Sequence, residues 1–312
     1  MRALTASGRD ESVALSEVAE PVPFPHQVVV KVAASSVNRG EVRRLAAQPP
    51  GFVSGWDVAG TVVRAASDGS GPPEGARVVA LVPHGGWAER VAVAVDMLHE
   101  LPGDVTFESA AALPIAGLTA LRALFAAGPL LGRRVLVTGA AGGVGRFAIQ
   151  LAAIGGARVT AVARDGHRGA GLRKLGAEEL VGAPEDATGS FDVILDSVGG
   201  RSLATALRRV APYGTVVTFG DSSGERVEFR AGEFYRPAAG ARVYALMVFL
   251  ELMREGSTGR DLRTLVDLVA DRRLDPQVAG VVGWIQAEEA FGRLLWREVP
   301  GKLVLSMEDR RS

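Results

Sequence analysis

A glycine-rich turn between two apolar runs is the feature that most constrains the fold of this chain. The run from Arg134 to Arg164 reads RVLVTGAAGGVGRFAIQLAAIGGARVTAVAR: an apolar strand, the turn, a helical pattern and a second apolar strand. This order is typical of a βαβ unit whose turn carries the pattern G-x-G-x-x-G and binds the pyrophosphate of a dinucleotide. Gly142 and Gly145 match the second and third glycines, and Ala140 stands in place of the first. We therefore predict a dinucleotide site here, on the condition that position 140 needs no positive φ.

Each position of the turn has a physical role in such a site. Gly142 lets backbone approach the pyrophosphate, and Gly145 allows the helix to pack closely on the strand. The amides that follow, at Gly143 and Val144, face the phosphates along the helix dipole. After Gly145 the chain lacks the lysine and hydroxyl residue of a nucleoside-triphosphate loop, which disfavours that class of site. The alternative is that these glycines serve helix packing alone.

The residues after the second strand bear on which nicotinamide cofactor is bound. An NAD site would place a carboxylate there to bind the adenosine ribose, but the chain has Arg164, followed by Asp165, His167 and Arg168. A guanidinium suits a ribose 2′-phosphate because it offers a fixed fork of positively charged donors. We predict NADPH, with Arg164 and Arg168 on the 2′-phosphate. Two alternatives stay open: the arginines are solvated charges at a helix start, or Asp165 binds the ribose.

The chain around the turn divides into three parts. Residues 1–113 read as short strands broken by glycine and proline, an all-β pattern. In residues 114–256, apolar strands alternate with helical patterns, among them GHRGAGLRKLG, which indicates a doubly wound parallel sheet covered on both faces. Residues 257–312 return to a helix followed by a strand. We predict an α/β protein in which a β-rich domain, 1–113 with 257–312, is interrupted by a nucleotide-binding domain, 114–256.

Composition disfavours several other classes of protein. The 35 basic and 35 acidic residues balance, so no broad basic face for nucleic acid or an anionic membrane is indicated. The longest apolar run, VYALMVFL, is far shorter than the roughly 20 residues of a membrane span, and the start of the chain lacks a signal-peptide core. We expect a cytoplasmic protein. The absence of cysteine removes disulfides, thiolate nucleophiles and cysteine-ligated zinc together.

Motifs along nearly the whole chain resemble the medium-chain dehydrogenase/reductase superfamily, in particular its zinc-independent quinone oxidoreductase (zeta-crystallin-like) branch. In the family's order these motifs are SSVNRGE, GWDVAGTV, GGWAERVAV, AAALPIAGLTALRAL, GAAGGVG, KLGAEELV, FDVILDSVGG, TFGDSSG and the closing EEAFGRLL with GKLVL. The resemblance implies a GroES-like catalytic domain, a Rossmann domain and NADPH as the cofactor. It also implies that Arg168 lies where members often carry a lysine toward the 2′-phosphate.

The resemblance further implies which residues surround the cofactor. Asn38 and Thr119 take positions toward the nicotinamide, and Lys302 lies in the terminal motif; Thr119 as a helix-interior residue is the alternative. The remaining contacts follow two strands and are Ser197, Val198, Gly199, Phe219, Gly220 and Ser222. Ligands of open α/β sheets lie beyond the carboxyl ends of the strands, which supports these loops independently. Aromatic candidates for the substrate pocket are Phe52, Trp56, Phe234, Tyr235 and Tyr244, with core packing as the alternative.

Two departures from the family pattern bear on the chemistry. Zinc-dependent relatives bind catalytic zinc through cysteine, histidine and an acid, whereas Asn38 and Trp56 stand at the cysteine and histidine positions here. Neither an amide nor an indole is a suitable zinc ligand, so we expect no metal. Members often carry a tyrosine near the nicotinamide where this chain has Arg43, which puts tyrosine-centred proton donation in doubt. His84 is a candidate at the substrate mouth, with a local hydrogen bond as its alternative role.

Without a metal to polarise a carbonyl, the natural chemistry is hydride transfer to an acceptor activated by conjugation. We predict an NADPH-dependent oxidoreductase acting on a quinone or another conjugated carbonyl, with Asn38 as the candidate donor to the developing enolate oxygen. Asn38 as a turn-stabilising residue and proton delivery from solvent stay open. The alternatives are an enoyl reductase of a biosynthetic pathway and a non-catalytic NADPH-binding protein with a redox-responsive or structural role, which Arg43 slightly favours.

The apolar run ARVYALMVFL bears on assembly. It should form an outer strand of the nucleotide-binding domain, and it has no charge or proline from Val243 to Leu250 to prevent pairing with another chain. The resembled family dimerises through this edge by a two-fold pairing of like strands. We expect a homodimer that binds a small molecule, with no nucleic acid or membrane partner. The alternative is that a helix or loop of the same chain covers the strand.

Overall fold

The computed structural model describes residues 1–9, 12–164, 169–235 and 237–307. The chain forms two compact units: unit 1 comprises Met1–Leu118 and Glu255–Ser312, and unit 2 comprises Thr119–Arg254. The sequence of unit 2 therefore interrupts that of unit 1. Among the described residues, no helix has the length and apolar character that a membrane crossing requires.

The described residues form fifteen strands and eight α-helices, which are numbered in chain order. The strands are β1 (Arg2–Ala6), β2 (Val13–Glu17), β3 (Gln27–Val37), β4 (Asp57–Arg64), β5 (Arg77–Leu81), β6 (Arg90–Ala94), β7 (Leu98–Glu100), β8 (Arg134–Val137), β9 (Arg158–Val162), β10 (Ala177–Val181), β11 (Phe191–Asp196), β12 (Val210–Thr218), β13 (Arg242–Ala245), β14 (Val278–Gly283) and β15 (Lys302–Ser306). The helices are α1 (Arg39–Leu45), α2 (Phe107–Ala111), α3 (Pro114–Ala127), α4 (Gly143–Ile154), α5 (Gly200–Leu207), α6 (Val248–Glu255), α7 (Thr258–Ala270) and α8 (Ala287–Leu295).

The strands of unit 1 form two sheets. β1 and β2 pair antiparallel, and the larger sheet has the order β14-β15-β3-β4-β5-β7, with β6 also paired to β3. The sequence of β3, QVVVKVAASSV, is rich in β-branched valines, which pack well on a pleated surface. Its buried side chains join a core that includes Trp87, Trp284 and Phe291. β15 pairs with β3 on one side and β14 on the other, so the C-terminal strand lies inside this sheet.

The strands of unit 2 form a parallel sheet with the order β10-β9-β8-β11-β12-β13. Counted within the unit, this is 3-2-1-4-5-6, the order of the doubly wound dinucleotide-binding fold. β8 and β11 read RVLV and FDVILD and are almost fully buried, as expected for strands covered on both faces. The predicted doubly wound parallel sheet is therefore confirmed. The strand order reverses between β8 and β11, and ligands of such sheets bind beyond the carboxyl ends of the strands at this point.

One predicted helix has a different structure. The described part of GHRGAGLRKLG, residues 169–176, consists of turns. Gly171 and Gly176 have φ values of 81° and 108°, which a right-handed helix does not allow. Helical spacing of the apolar residues was therefore not sufficient here, because the glycines take up left-handed conformations.

The predicted outer strand ARVYALMVFL is shorter than expected. β13 stops at Ala245, and α6 begins at Val248. From this point the apolar residues follow helical spacing, since Val248 and Leu252 are the buried members of α6. β13 is nevertheless the outermost strand of the sheet of unit 2.

Candidate active site

The glycine-rich turn lies at the carboxyl end of β8 and leads into α4. Its left-handed residue is Gly139, with a φ of 59°, one position before Ala140. A Cβ atom on Gly139 would overlap the hydroxyl oxygen of Ser197. Ala140 is fully buried and does not have a positive φ. Alanine can therefore replace the first glycine of the pattern, because the left-handed position falls on Gly139, a residue that sequence reasoning missed.

Gly142 and Gly145 differ in what an added side chain would meet. A Cβ atom on Gly145 would lie 2.6 Å from the carbonyl oxygen of Gly139 and 2.7 Å from the Cα of Ala140, so close packing of α4 on the turn requires this glycine. Beyond its chain neighbours, a Cβ on Gly142 would meet one described atom, the carbonyl oxygen of Gly139, at 3.4 Å. The φ of −79° and ψ of 170° at Gly142 are open to any residue. The fold thus does not require glycine at position 142, and its open side leaves room for a group from outside the chain.

The first turn of α4 presents backbone N–H groups at this place. A helix leaves the amides of its first turn without partners inside the helix, and they carry the positive end of the helix dipole. In α4 they belong to Gly143, Val144 and Gly145, and phosphate oxygens are suitable acceptors for them. The next residue, Arg146, is buried and donates from Nε to the carbonyl oxygen of Ala141 at 3.3 Å. Arg146 therefore ties the helix to the turn, a role that sequence reasoning did not assign.

The predicted contact residues after β11 and β12 lie in two loops that hydrogen bond to each other. Ser197, Val198 and Gly199 follow β11, and Phe219, Gly220 and Ser222 follow β12. The amide of Ser222 donates to the carbonyl oxygen of Ser197 at 3.2 Å, and the amide of Ser223 donates to that of Val198 at 2.8 Å. Since β11 neighbours β8, these loops and the glycine-rich turn share one edge of the sheet.

The residues predicted to select the cofactor follow β9, the other neighbour of β8. Arg164 lies two positions beyond the last residue of β9, Val162, and its side chain is exposed. Asp165, His167 and Arg168 lie outside the described residues. The structure thus places one of the two predicted arginines at the same edge of the sheet as the turn.

A buried polar cluster in unit 1 surrounds Asn38, the N-cap residue of α1. Its side chains are Ser36, Asn38, Glu41, Asp57 and Lys302, and all except Asn38 are almost fully buried. The amide group of Asn38 donates one hydrogen bond to Glu41 Oε2 and one to Asp57 Oδ2, each of 2.8 Å. The amide oxygen accepts a hydrogen bond of 2.7 Å from Lys302 Nζ. Both amide hydrogens of Asn38 are engaged, so in this conformation it has none for an enolate oxygen.

Glu41 closes the first turn of α1. Its Oε2 accepts from the backbone amide of Asn38 at 2.9 Å as well as from the side chain, and its Oε1 accepts from the backbone amide of Trp56 at 2.6 Å. Burial, together with the nearby charge of Asp57, raises the pKa of Glu41 to about 8. The bonds from Asn38 and the charge of Lys302 act in the opposite direction. Glu41 therefore holds α1 against the residue before β4 while carrying a proton more readily than an exposed glutamate.

Asp57, the first residue of β4, gathers donors from four parts of unit 1. Its Oδ1 accepts from the backbone amide of Ile115 at 2.8 Å, and its Oδ2 accepts from Asn38 and from the hydroxyl of Ser36. The ammonium of Lys302 lies 3.3 Å from the same Oδ2. A buried carboxylate needs such a counter-charge and hydrogen bonds to offset its lost hydration. Lys302, predicted to contact the cofactor, thus belongs to this cluster of unit 1.

Sequence reasoning missed Ser36, Glu41 and Asp57. A signal for Glu41 existed, because asparagine followed three residues later by glutamate is the pattern of a capping box. No local pattern indicates Asp57, whose partners Asn38 and Lys302 are 19 and 245 positions away.

The other predicted residues of unit 1 have separate surroundings. Arg43 is exposed in the last turn of α1. His84 is also exposed, and its ring centroid lies 5.5 Å from that of Phe52. The ring of Trp56 is half-buried, with the guanidinium carbon of Arg44 5.5 Å from its centroid. Phe52 and His84 therefore lie close together, and the guanidinium of Arg44 lies over the ring of Trp56.

The predicted residues of unit 2 also differ in exposure. Thr119 is buried in α3. Phe234 is half-buried against the core of this unit, and its ring lies 5.1 Å from that of Phe229. Tyr235 is 77% exposed, whereas the hydroxyl of Tyr244 donates a 2.6 Å hydrogen bond to Glu251. The contact with Glu251 is the main reason that the pKa of Tyr244 is raised.

Metal ligands are not grouped in the part of the chain that the structure describes. Within it, no three histidine, cysteine, aspartate or glutamate side chains are arranged so as to hold a metal ion. Of the two residues at the zinc-ligand positions of relatives, Asn38 directs its oxygen at the ammonium of Lys302, and Trp56 lies beside the guanidinium of Arg44. Each therefore has a cationic side chain as its partner.

Comparison with known proteins matches both units. The family model for an alcohol dehydrogenase GroES-like domain matches residues 24–103, and the model for a zinc-binding dehydrogenase matches residues 175–305. The quinone-oxidoreductase QR1, chloroplastic, of Triphysaria versicolor is 29% identical, over 98% of this chain and 98% of its own length. The quinone oxidoreductase of Mus musculus is 33% identical, over 66% of this chain and 68% of its own length. Among solved structures, the quinone oxidoreductase from Coxiella burnetii matches with a TM-score of 0.84 and 26% identity, over 99% of both chains.

Proposed function

The chain belongs to the quinone oxidoreductase branch of the medium-chain dehydrogenase/reductase superfamily, and from this premise we propose that it transfers hydride from NADPH to a quinone or another conjugated carbonyl. It is therefore an oxidoreductase, with a GroES-like unit and a Rossmann-type unit.

The open space at Gly142 is the main support for a dinucleotide site. Gly139 and Gly145 are required by contacts within the turn, but the contacts around Gly142 would tolerate a methyl group. Glycine at that position is explained if backbone amides must approach a ligand closely, as they do with a pyrophosphate. The amides at the start of α4 would hold its oxygens, and the loops after β11 and β12 would hold the nicotinamide end.

Arg164 supports NADPH over NADH. When bound, this cofactor supplies the hydride and carries an adenosine 2′-phosphate that NADH lacks. The exposed guanidinium of Arg164 follows β9, which neighbours the strand that ends in the turn. A charge-assisted hydrogen bond from such a group distinguishes the two cofactors by charge as well as by shape.

A conjugated acceptor suits the residues at the zinc-ligand positions of relatives. Asn38 and Trp56 offer an amide and an indole there, neither of which binds zinc well. An isolated alcohol or ketone gains most from a Lewis acid, whereas a quinone or enone is already activated by conjugation. Since both amide hydrogens of Asn38 are bonded to carboxyl groups, Asn38 in this conformation would not stabilise the enolate oxygen, and a neutral amide is not a proton source. Solvent is our proposed source of the proton that follows the hydride.

The edge of the unit 2 sheet supports a homodimer. β13 has one strand neighbour, β12, among the described residues, and Val243 at its centre is 56% exposed. Beyond Arg242 at its first position, β13 has no charge or proline, and an exposed apolar edge of this kind is open to pairing with a second copy of itself. A two-fold pairing of like strands would close the assembly and join the two sheets.

The function can be tested with NADPH and three acceptors: 1,2-naphthoquinone, 9,10-phenanthrenequinone and a small enone. We expect NADPH oxidation with the quinones, activity that survives extensive treatment with a chelator, and slower oxidation of NADH. Turnover of the enone alone would instead identify an alkene reductase. Tight binding of NADPH without turnover of any acceptor would contradict an enzymatic role.

A further inference from the structure

Asp196 is a buried carboxylate at the end of an otherwise apolar strand. It is the last residue of β11 and has no exposed surface. Its Oδ1 accepts a 2.6 Å hydrogen bond from the hydroxyl of Thr138, and its Oδ2 accepts a 2.9 Å hydrogen bond from the backbone amide of Gly199. Burial raises the pKa of Asp196, and these two donors oppose that effect. The carboxyl group thus links the residue after β8 to the loop after β11.

Thr138 and Ser197 strengthen the same link. The amide of Ser197 donates to the hydroxyl oxygen of Thr138 at 3.3 Å, and the hydroxyl of Ser197 donates to the carbonyl oxygen of Thr138 at 3.4 Å. Ser197 also occupies the place that a Cβ of Gly139 would need. The glycine-rich turn and the loop after β11 are therefore joined by hydrogen bonds and by close packing at Gly139.

The loop after β12 joins this arrangement through backbone groups. The amide of Phe219 donates to the carbonyl oxygen of Asp196 at 3.0 Å. Gly199 has a φ of 75°, and a Cβ there would overlap the carboxylate of Asp221. Three strand-end loops thus meet at Asp196, which contributes hydrogen bonds from both its side chain and its backbone.

A carboxyl group in this position is not required by the sheet. The preceding residues Val193, Ile194 and Leu195 are fully buried and apolar, and burying a carboxylate among such residues costs free energy unless it is well paired. The side chain of Asp196 accepts hydrogen bonds from Thr138, after β8, and from Gly199, in the loop after β11. The strand order reverses between these two strands, and ligands of this fold bind at that point. A carboxyl group at this position is explained if the relative position of these loops matters.

We propose that Asp196 is a positioning residue that holds the loop Ser197–Gly199 in register with the glycine-rich turn, so that both halves of one dinucleotide are bound together. This inference rests on the proposed binding of NADPH. Asp196 does not touch the cofactor in this role and acts through Thr138 and Gly199. The glycine-rich turn is also held by the close packing of Gly145 in α4, which does not involve Asp196. Loss of Asp196 should therefore disturb only the half of the site that binds the nicotinamide.

The test compares two ligands in three variants. NADPH spans both halves of the site. 2′,5′-ADP is the adenosine part of NADPH with its 2′-phosphate and one 5′-phosphate, so it occupies only the half of the site at the glycine-rich turn. In Asp196→Ala we expect the Kd for NADPH to rise by about 10-fold to 100-fold, from the loss of hydrogen bonds to a charged group, while the Kd for 2′,5′-ADP stays within about 2-fold. Asp196→Asn should restore NADPH binding to within about 3-fold, because its amide can accept from Gly199 and donate to Thr138. Thr138→Val, which is close in shape, tests the same link if Asp196→Ala fails to fold.

The outcomes separate the inference from the function on which it rests. Calorimetric titration of the unaltered protein tests NADPH binding itself, and its failure would overturn both. With binding present, equal weakening of NADPH and 2′,5′-ADP in a folded variant would overturn the positioning role, because it would indicate general damage to the site. Unchanged NADPH affinity in Asp196→Ala would overturn it as well.

Discussion

The ammonium of Lys302 lies 2.7 Å from the side-chain oxygen of Asn38, although 264 positions of sequence separate the two residues. The same ammonium is 3.3 Å from a carboxylate oxygen of Asp57. The cation therefore contacts the carboxyl group of Asp57 directly, and it is linked to that of Glu41 through Asn38, which donates to both carboxyl groups. β4 is thus linked to β15 by charge, and β3 is linked to it by backbone pairing.

Removing this cation should destabilise unit 1. In Lys302→Met we expect the free energy of unfolding to fall by about 3–5 kcal/mol, because Asp57 is left buried without its ion-pair partner. Urea unfolding followed by circular dichroism measures this change. The matched control is Lys31→Met, an exposed lysine on β3, which should change stability by less than about 0.5 kcal/mol. Equal effects of the two substitutions would contradict the structural role of Lys302.

The raised pKa of Glu41 predicts how stability depends on pH. In the unfolded chain this carboxyl titrates near its ordinary value of 4.5, and in the folded protein near about 8. The folded state therefore binds the extra proton, so the stabilising contribution is full below pH 4.5 and is lost as the pH rises toward about 8. Within this window the free energy of unfolding should fall by about 1.4 kcal/mol per pH unit from this group.

Glu41→Gln isolates that contribution because the variant cannot titrate at this position. It should be less stable overall, since one amide oxygen cannot replace two carboxylate oxygens for three N–H donors. The expected signature is the difference in slope between the two proteins when urea midpoints are measured at about pH 5, 7 and 9. Parallel pH profiles would show that Glu41 titrates normally.

Alanine substitution at two glycines of the turn should separate binding from folding. Gly142→Ala should leave stability unchanged or raise it by up to about 1 kcal/mol, and should weaken NADPH binding by about 10-fold or more through steric exclusion of the pyrophosphate. Gly145→Ala should instead lower stability by about 1–3 kcal/mol, because its Cβ meets the backbone of the turn. Thermal unfolding and NADPH titration of both variants check this pair. Normal NADPH affinity in Gly142→Ala would remove the main support for the cofactor site.

Arginines after β9 should account for cofactor choice. Replacing Arg164 and Arg168 together with alanine should raise the Kd for NADPH far more than that for NADH, since each charge-assisted bond is worth about 1.5–3 kcal/mol. Arg158→Ala is a suitable control, because Arg158 is an exposed arginine at the other end of β9 that pairs with Glu178. If the double substitution weakens the binding of both cofactors equally, the arginines do not bind the 2′-phosphate. Tight NADH binding by the unaltered protein would point to Asp165.

The dimer can be tested in the edge strand, at Val243, and in the short segment between β13 and α6, at Met247. Val243→Pro or Met247→Lys should give a monomer or an insoluble protein, because each change removes or opposes pairing at the apolar edge. Leu131→Lys, at a strongly exposed apolar residue elsewhere in unit 2, should leave the dimer intact. Light scattering of the purified proteins gives the masses. A monomer mass for the unaltered protein at micromolar concentration would refute the assembly.

Much of the fold follows from local sequence. The parallel sheet of unit 2 is predictable because its strands are continuous apolar runs, and its central turn because glycines mark a strand-to-helix junction. The exceptions are also local: Gly171 and Gly176 have positive φ values where a helix was expected, and the apolar run after β13 changes its spacing to that of a helix.

The candidate site is less predictable because its contacts are distant in sequence. The need for glycine at position 139 comes from Ser197, and the surroundings of Asn38 come from Asp57 and Lys302. Asn38 itself is indicated by sequence, but the engagement of both its amide hydrogens by carboxylates is visible only once those carboxylates are placed. Sequence patterns can therefore identify candidate site residues, but they do not identify the contacts that those residues make.

The position of β15 inside its sheet has a consequence for the order of events during translation. All of unit 2 is synthesised before Lys302, and at about 5–20 residues per second the segment from Glu255 to Lys302 takes several seconds. In that interval the last four residues of β3, Ala34–Val37, lack their partner β15, and the carboxyl group of Asp57 lacks the ammonium of Lys302. All strands of the unit 2 sheet are thus present in the nascent chain while this stretch of β3 in unit 1 still lacks its partner. Until β15 is synthesised, this stretch of β3 is an unpaired edge that can pair with another chain.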